Sequence, residues 1–152
     1  MSLSPTVIYE ITTGEIKSSG GIDFYEGSEA AQMAAAVAPW GAETHAVALG
    51  TGTPEGHYVA VLDGVSVIAE RSPLIVEVDK TTLVADGIDS ITLTGLPDPC
   101  DIIIDAPDPL VETSEETVTG GGFVFVADDP GVYTVEVHRW PFLPFKIEFT
   151  AT

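Results

Sequence analysis

Val78-Asp79-Lys80-Thr81-Thr82-Leu83-Val84-Ala85-Asp86-Gly87-Ile88-Asp89-Ser90-Ile91-Thr92-Leu93-Thr94 decides the fold, together with Asp129-Pro130-Gly131-Val132-Tyr133-Thr134-Val135-Glu136-Val137 further on. The first segment alternates branched apolar residues with polar ones on both sides of an Asp-Gly step. That is the period of half-buried strands interrupted by a reversal. The second starts a strand straight after a Pro-Gly turn and puts an aromatic at its third position. Both predict strands of a sandwich, and neither carries the marks of an active site.

Outward from these segments, nearly everything after Leu74 reads as short strands between turns. They are predicted over Ile75–Val78, Thr82–Val84, Ser90–Thr94, Asp101–Ile104, Val111–Thr119, Gly122–Ala127, Val132–Arg139 and Phe145–Thr150. Seven or so strands in about eighty residues is the spacing of an immunoglobulin-like sandwich. Gly95-Leu96-Pro97-Asp98-Pro99 is a rigid turn and Gly120-Gly121-Gly122 a permissive one.

The preceding residues read differently. Val7–Ile11 is a short strand, Thr12-Thr13-Gly14 a turn and Glu15–Ser18 a return strand, after which Ser18-Ser19-Gly20-Gly21 loosens the chain. One helix is predicted over Ala30–Val37, with Ser28 as N-cap, Glu29 in the first turn and Pro39 as the stop. Strands follow at His45–Leu49, His57–Leu62 and Val65–Glu70, the last two joined by Asp63-Gly64, a pair suited to a tight hairpin. Arg71-Ser72-Pro73 breaks the pattern. The expected organisation is mainly β: a small α+β module over residues 1–71 and an immunoglobulin-like β-sandwich over 72–152.

Twenty-four acidic residues face five Lys and Arg, a formal net charge of -19 in 152 residues. Residues 1–70 carry nine acids and one base, and 71–152 carry fifteen and four, so no basic face hides in the average. Nucleic acid is excluded as a partner on this ground. Disorder is excluded by 45% hydrophobic residues and a mean hydropathy of +0.28. The single cysteine, Cys100, cannot form an internal disulfide and is read as a buried turn thiol between Pro99 and Asp101. The start Met1-Ser2-Leu3-Ser4-Pro5-Thr6 lacks a signal-peptide pattern, and the apolar run Ala30–Ala42 is too short and too broken to span a membrane. Synthesis in a cytoplasm without an export signal and no membrane partner are expected.

Candidate chemistry is sparse. His45, His57 and His138 stand singly, without the spacing of a zinc set. Asp98, Asp101, Asp105 and Asp108 invite a calcium reading, but Pro99, Pro107 and Pro109 interrupt them and no Glu closes an EF-hand loop. Solvated turn carboxylates are preferred, and no metal or cofactor is expected. A nucleophile elbow and an activated thiol are both missing, while two-carboxylate glycosidase chemistry stays formally open in so acidic a chain. Trp40, Trp140, Phe142 and Leu143 remain, apolar residues in turn-like connectors. They either close the core or dock a neighbouring protein, and they are the candidate contact residues.

The Ala85-Asp86-Gly87 strand and the Pro130-Gly131-x-Tyr133 strand resemble the bacterial immunoglobulin-like domains, which serve mostly as spacers and adhesive modules. Over its length the chain looks like a class of tailed-bacteriophage structural proteins. The resemblance rests on Ile8-Tyr9-Glu10-x-x-Thr13-Gly14-Glu15-Ile16, Gly56-His57-Tyr58-Val59, Asp63-Gly64 and Glu70-Arg71-x-Pro73. It continues in Asp79-Lys80-Thr81-Thr82, Gly95-Leu96-Pro97 and Pro141-Phe142-Leu143-Pro144. The Ala-rich middle and the Gly50-to-Gly56 insert depart from the usual module. This resemblance implies a non-enzymatic, multicopy virion protein, tail-associated and joined to other virion proteins by its amino-terminal module. Capsid decoration is the alternative, and a carbohydrate-binding adhesin that meets host surface glycans is a further one.

Overall fold

The structure, a computed structural model, describes residues 3–23 and 29–152, and the chain divides into two compact units, Met1–Arg71 and Ser72–Thr152. In unit 1, strand β1 (Leu3–Glu10) lies between β2 (Ile16–Asp23) and β3 (His45–Leu49) in an antiparallel sheet. The alternation of β1 turns Val7 and Tyr9 into the core, where they meet Ile16, Ala48 and Val59. Helix α1 (Glu29–Val37) is short and Ala-rich, has Glu29 in its first turn, and runs into a 3-10 turn at Ala38–Trp40 where Pro39 stands. The predicted cap, Ser28, lies outside the described residues.

One expectation fails here. Ser18-Ser19-Gly20-Gly21 does not loosen the chain: it is the middle of β2, paired with Ile8, Val7, Thr6 and Pro5. These residues are poor strand formers, but the neighbouring strand supplies the ladder, and tertiary pairing overrides the local preference. The register shifts at Ile8/Tyr9, leaving Lys17 as the extra residue of a bulge.

Strands β4 (His57–Leu62) and β5 (Val65–Glu70) form the predicted hairpin. Asp63 and Gly64 both have positive φ, 51° and 79°, as a mirror-image two-residue turn requires. The hairpin docks on the first sheet at Gly14, whose carbonyl accepts the Val59 amide at 2.8 Å. Gly14 has φ 73°, and a Cβ there would overlap the Val59 carbonyl oxygen, so only glycine permits the approach. Tyr9 Oη lies 2.9 Å from Ser66 Oγ and ties the same two layers.

Unit 2 contains β6 (Glu77–Val78), β7 (Thr82–Leu83), β8 (Ser90–Thr94), β9 (Cys100–Asp105), β10 (Ser114–Val118), β11 (Gly122–Val126), β12 (Gly131–His138) and β13 (Phe145–Ala151). They make a five-stranded sheet, β10-β9-β12-β13-β7, and a three-stranded sheet, β11-β8-β6. Pairing is antiparallel except between β13 and β7. Ile91, Leu93 and Phe125 of the smaller sheet pack with Ile102, Val135, Val137 and Phe149 of the larger. The Phe125 ring lies 5.4 Å from Phe149 and 5.2 Å from Tyr133, edge-on to the latter. Two mainly antiparallel sheets closed on one core in this order form an immunoglobulin-like sandwich.

Cys100 corrects a second expectation. It opens β9 rather than sitting in the turn, it is 2% exposed, and burial pushes its thiol pKa up. The rigid turn ends one residue earlier, at Pro99. The Ala85-Asp86-Gly87 reversal is a corner held by carboxylates. Asp86 accepts the amides of Ile88 and Asp89, both at 2.8 Å. Asp89 accepts those of Val84 and Ser90 and the Lys80 ammonium at 2.5 Å. The Gly87 amide donates to the Ala127 carbonyl, and a Cβ at Gly87 would strike Asp128.

Phe149→Ala removes the ring on which both sheets close and is expected to destabilise unit 2 by about 3–5 kcal/mol. Urea unfolding of the full chain checks this, and a loss under about 1 kcal/mol would show that the core closes elsewhere.

Candidate functional site

The hairpin of unit 1 carries apolar residues on both faces. Cross-strand partners share a face. Val59 and its partner Ile68 turn toward the unit 1 core. The opposite face carries three pairs, Tyr58 with Ala69, Ala60 with Val67 and Leu62 with Val65, and no charge among them. At the tip Leu62 and Val65 are 60% and 62% exposed. Sequence reading found the hairpin but not this surface. The signal was present in HYVAVL and VSVIAE, where apolar residues occupy consecutive positions instead of alternating positions.

The four predicted contact residues fall in different units. Trp40 belongs to unit 1, 42% exposed in the 3-10 turn, with its ring 5.9 Å from that of His45. Trp140, Phe142 and Leu143 belong to unit 2, in the turn before β13. Leu143 donates its amide to Ser72 and forms a bridge with Pro73, and the Phe142 amide donates to Arg139. Trp140 and Leu143 are half-buried, and Phe142 is 37% exposed.

A second surface was not foreseen. Between the edge strands β10 and β11 a groove of about 350 Å³ opens, lined by Ile104, Phe123, Phe125 and Tyr133 with Glu112 and Glu116 beside them. At Ala106, Val111 and Tyr133 it meets a cavity of about 570 Å³ under the loop after β9, where Asp108 and Asp129 stand. The Tyr133 hydroxyl donates to the Asp129 carbonyl at 3.0 Å, closing the corner that begins β12, and partial burial raises its pKa. Sequence could not place this groove, because it depends on which strands end each sheet.

The remaining ionisable groups hold the surface together. Glu136 sits between Lys146 at 2.8 Å and His138 at 3.0 Å, and these bonds lower its pKa. Glu10 accepts the hydroxyls of Thr12 and Thr13, with Lys17 at 3.7 Å, and its pKa is lowered. The aspartates read for calcium are spread out. Asp101 accepts the Thr117 hydroxyl, Asp105 that of Thr113 and Asp108 the Leu110 amide. Among the described residues no three His, Cys, Asp or Glu side chains gather as a metal site. Nor is any helix of the described residues long and apolar enough to cross a membrane.

Comparison of the chain with protein-family models, with curated proteins and with solved structures finds no match.

Two outcomes follow from these contacts. Tyr133→Phe removes one corner hydrogen bond and is expected to cost on the order of 1 kcal/mol, read from the shift in urea midpoint. The pKa of Asp89 is lowered by the Lys80 and Val84 bonds, so the folded state binds fewer protons than the unfolded one. Its stabilisation is present above the ordinary carboxylate value of 3.8 and is lost as pH falls below it. Asp89→Asn should therefore lower the melting temperature at neutral pH and lower it less at a pH well below 3.8. An equal deficit at both pH values would show that the carboxylate charge is irrelevant.

Proposed function

We propose that the protein is a non-enzymatic structural component of a tailed-phage particle, tail-associated and attached through its amino-terminal unit. The observation that carries this reading is the contrast between the two units. The β4–β5 hairpin presents an uncharged apolar face whose tip residues, Leu62 and Val65, are 60% and 62% exposed, whereas the sandwich region from residue 71 onward carries fifteen acids against four bases. An uncharged apolar face suits a permanent contact, and a strongly anionic sandwich suits a solvated or laterally spaced module.

Copies bearing -19 each repel one another in free solution. On a particle, the attachment energy and basic neighbours offset that repulsion, so the isolated protein is expected to be monomeric at low ionic strength. The order of strand and turn motifs that resembles phage tail modules supports the same station.

Leu62→Asp together with Val65→Asp tests the attachment. Both residues are exposed, so the melting temperature should hold within a few degrees while incorporation into particles falls at least about tenfold. Undiminished incorporation would refute attachment through the hairpin. A particle map with hundreds of copies on the head would replace the tail reading by capsid decoration.

A further inference from the structure

The two sheets of unit 2 end unevenly at the groove. The larger sheet runs out to β10, while the smaller stops at β11. In an immunoglobulin-like sandwich, a fourth strand beside β11 would lie opposite β10. Among the described residues, no strand pairs with the outer edge of β11. The inward residues of β10 record the consequence. Glu116 pairs with Ile102, which is fully buried in the core, and Ser114 pairs with Ile104, yet both Ser114 and Glu116 are exposed.

We infer that the free edge of β11 is a strand acceptor, a seat for an extended segment of another protein with alternating apolar and basic side chains. The β11 sequence, Gly122-Phe123-Val124-Phe125-Val126, carries no charge and no proline, and its pairing with β8 has no bulge. Those are the devices that usually stop an edge from recruiting another strand. The β10 edge, by contrast, has them in Glu115 and Glu116. A strand laid beside β11 would complete its ladder and point every second side chain into the groove, where a basic one would lay its stem over Phe123 and Ile104 and turn its charge toward Glu112 and Glu116. Its outward, apolar side chains would flank Val124 and Val126, which are 57% and 47% exposed.

Charge chooses among occupants. The ionisable groups lining the groove and the adjoining cavity, tyrosine apart, are Asp108, Glu112, Glu116 and Asp129, all acidic. A guest with Lys or Arg at alternate positions meets them favourably. A second copy paired edge to edge would bring two sets of these carboxylates together and is disfavoured. The inference concerns unit 2 alone and does not rest on the virion reading.

The test uses the full chain and three eight-residue probe peptides: alternating Val and Lys, alternating Val and Glu, and the Val/Lys peptide with a central proline. Amide hydrogen exchange reads the site. The Val/Lys peptide should slow exchange in Gly122–Val126, and the other two should not, since one repels and the other cannot complete the ladder. Glu112→Gln with Glu116→Gln should weaken Val/Lys binding about tenfold and flatten its salt dependence, with melting unchanged. Equal binding of all three peptides, protection confined to β10 or to unit 1, or no protection at all would overturn the inference. So would a peptide-free dimer that protects β11 by itself.

Discussion

The packing of Phe125 against Phe149 and edge-on to Tyr133 is the contact on which unit 2 depends. Phe125 is contributed by an edge strand of the smaller sheet, whereas Phe149 and Tyr133 come from adjacent strands of the larger one. One ring therefore fixes the spacing of the sheets and holds the edge strand β11 against them. Because Tyr133 is also anchored through its hydroxyl to Asp129, the same cluster sets the floor of the groove and the start of β12. Apolar packing and a single polar anchor here act on one set of residues at the margin of the core.

Local grammar was enough for much of this architecture. Asp63-Gly64 and its flanks specify β4 and β5 to the residue, because two consecutive positive φ angles leave few residue types that fit. Ser90–Thr94 alternates cleanly and becomes β8 as expected. The Ala85-Asp86-Gly87 corner was visible as a reversal, although not as a network in which two carboxylates collect four backbone amides and an ammonium. What failed was whatever depends on a distant partner. Ser18–Gly21 has no strand propensity of its own and is a strand only because β1 lies beside it. The strand predicted over Val111–Thr119 shortens to Ser114–Val118, since the ladder with β9 starts only where Ser114 meets Ile104.

The contact surfaces were hidden for the same reason. Aromatic residues in connectors drew attention to Trp40, Trp140, Phe142 and Leu143, yet Trp140 and Leu143 are half-buried beside strand ends. Exposed aliphatic residues also stand on regular strands, Leu62 and Val65 of the hairpin among them. A strand with both faces apolar reads in sequence as a buried one, and only the count of neighbouring layers tells whether the second face is covered. In β4–β5 the side of Val59 and Ile68 packs into the unit 1 core, while Leu62 and Val65 at the tip of the other side are exposed among the described residues.

Acidity and the uncharged β11 edge act over different ranges. Long-range repulsion among copies at -19 acts over about a Debye length, roughly 8 Å at physiological salt, and is indifferent to strand geometry. Hydrogen-bond complementarity at the β11 edge acts only at contact. The first therefore keeps identical chains apart before their edges can meet, while the second accepts a guest of opposite charge once it arrives. An uncharged edge such as β11 would be a hazard for self-association on a neutral domain. Surrounded by Asp108, Glu112, Glu116 and Asp129, it is guarded against its own kind without losing its capacity to pair.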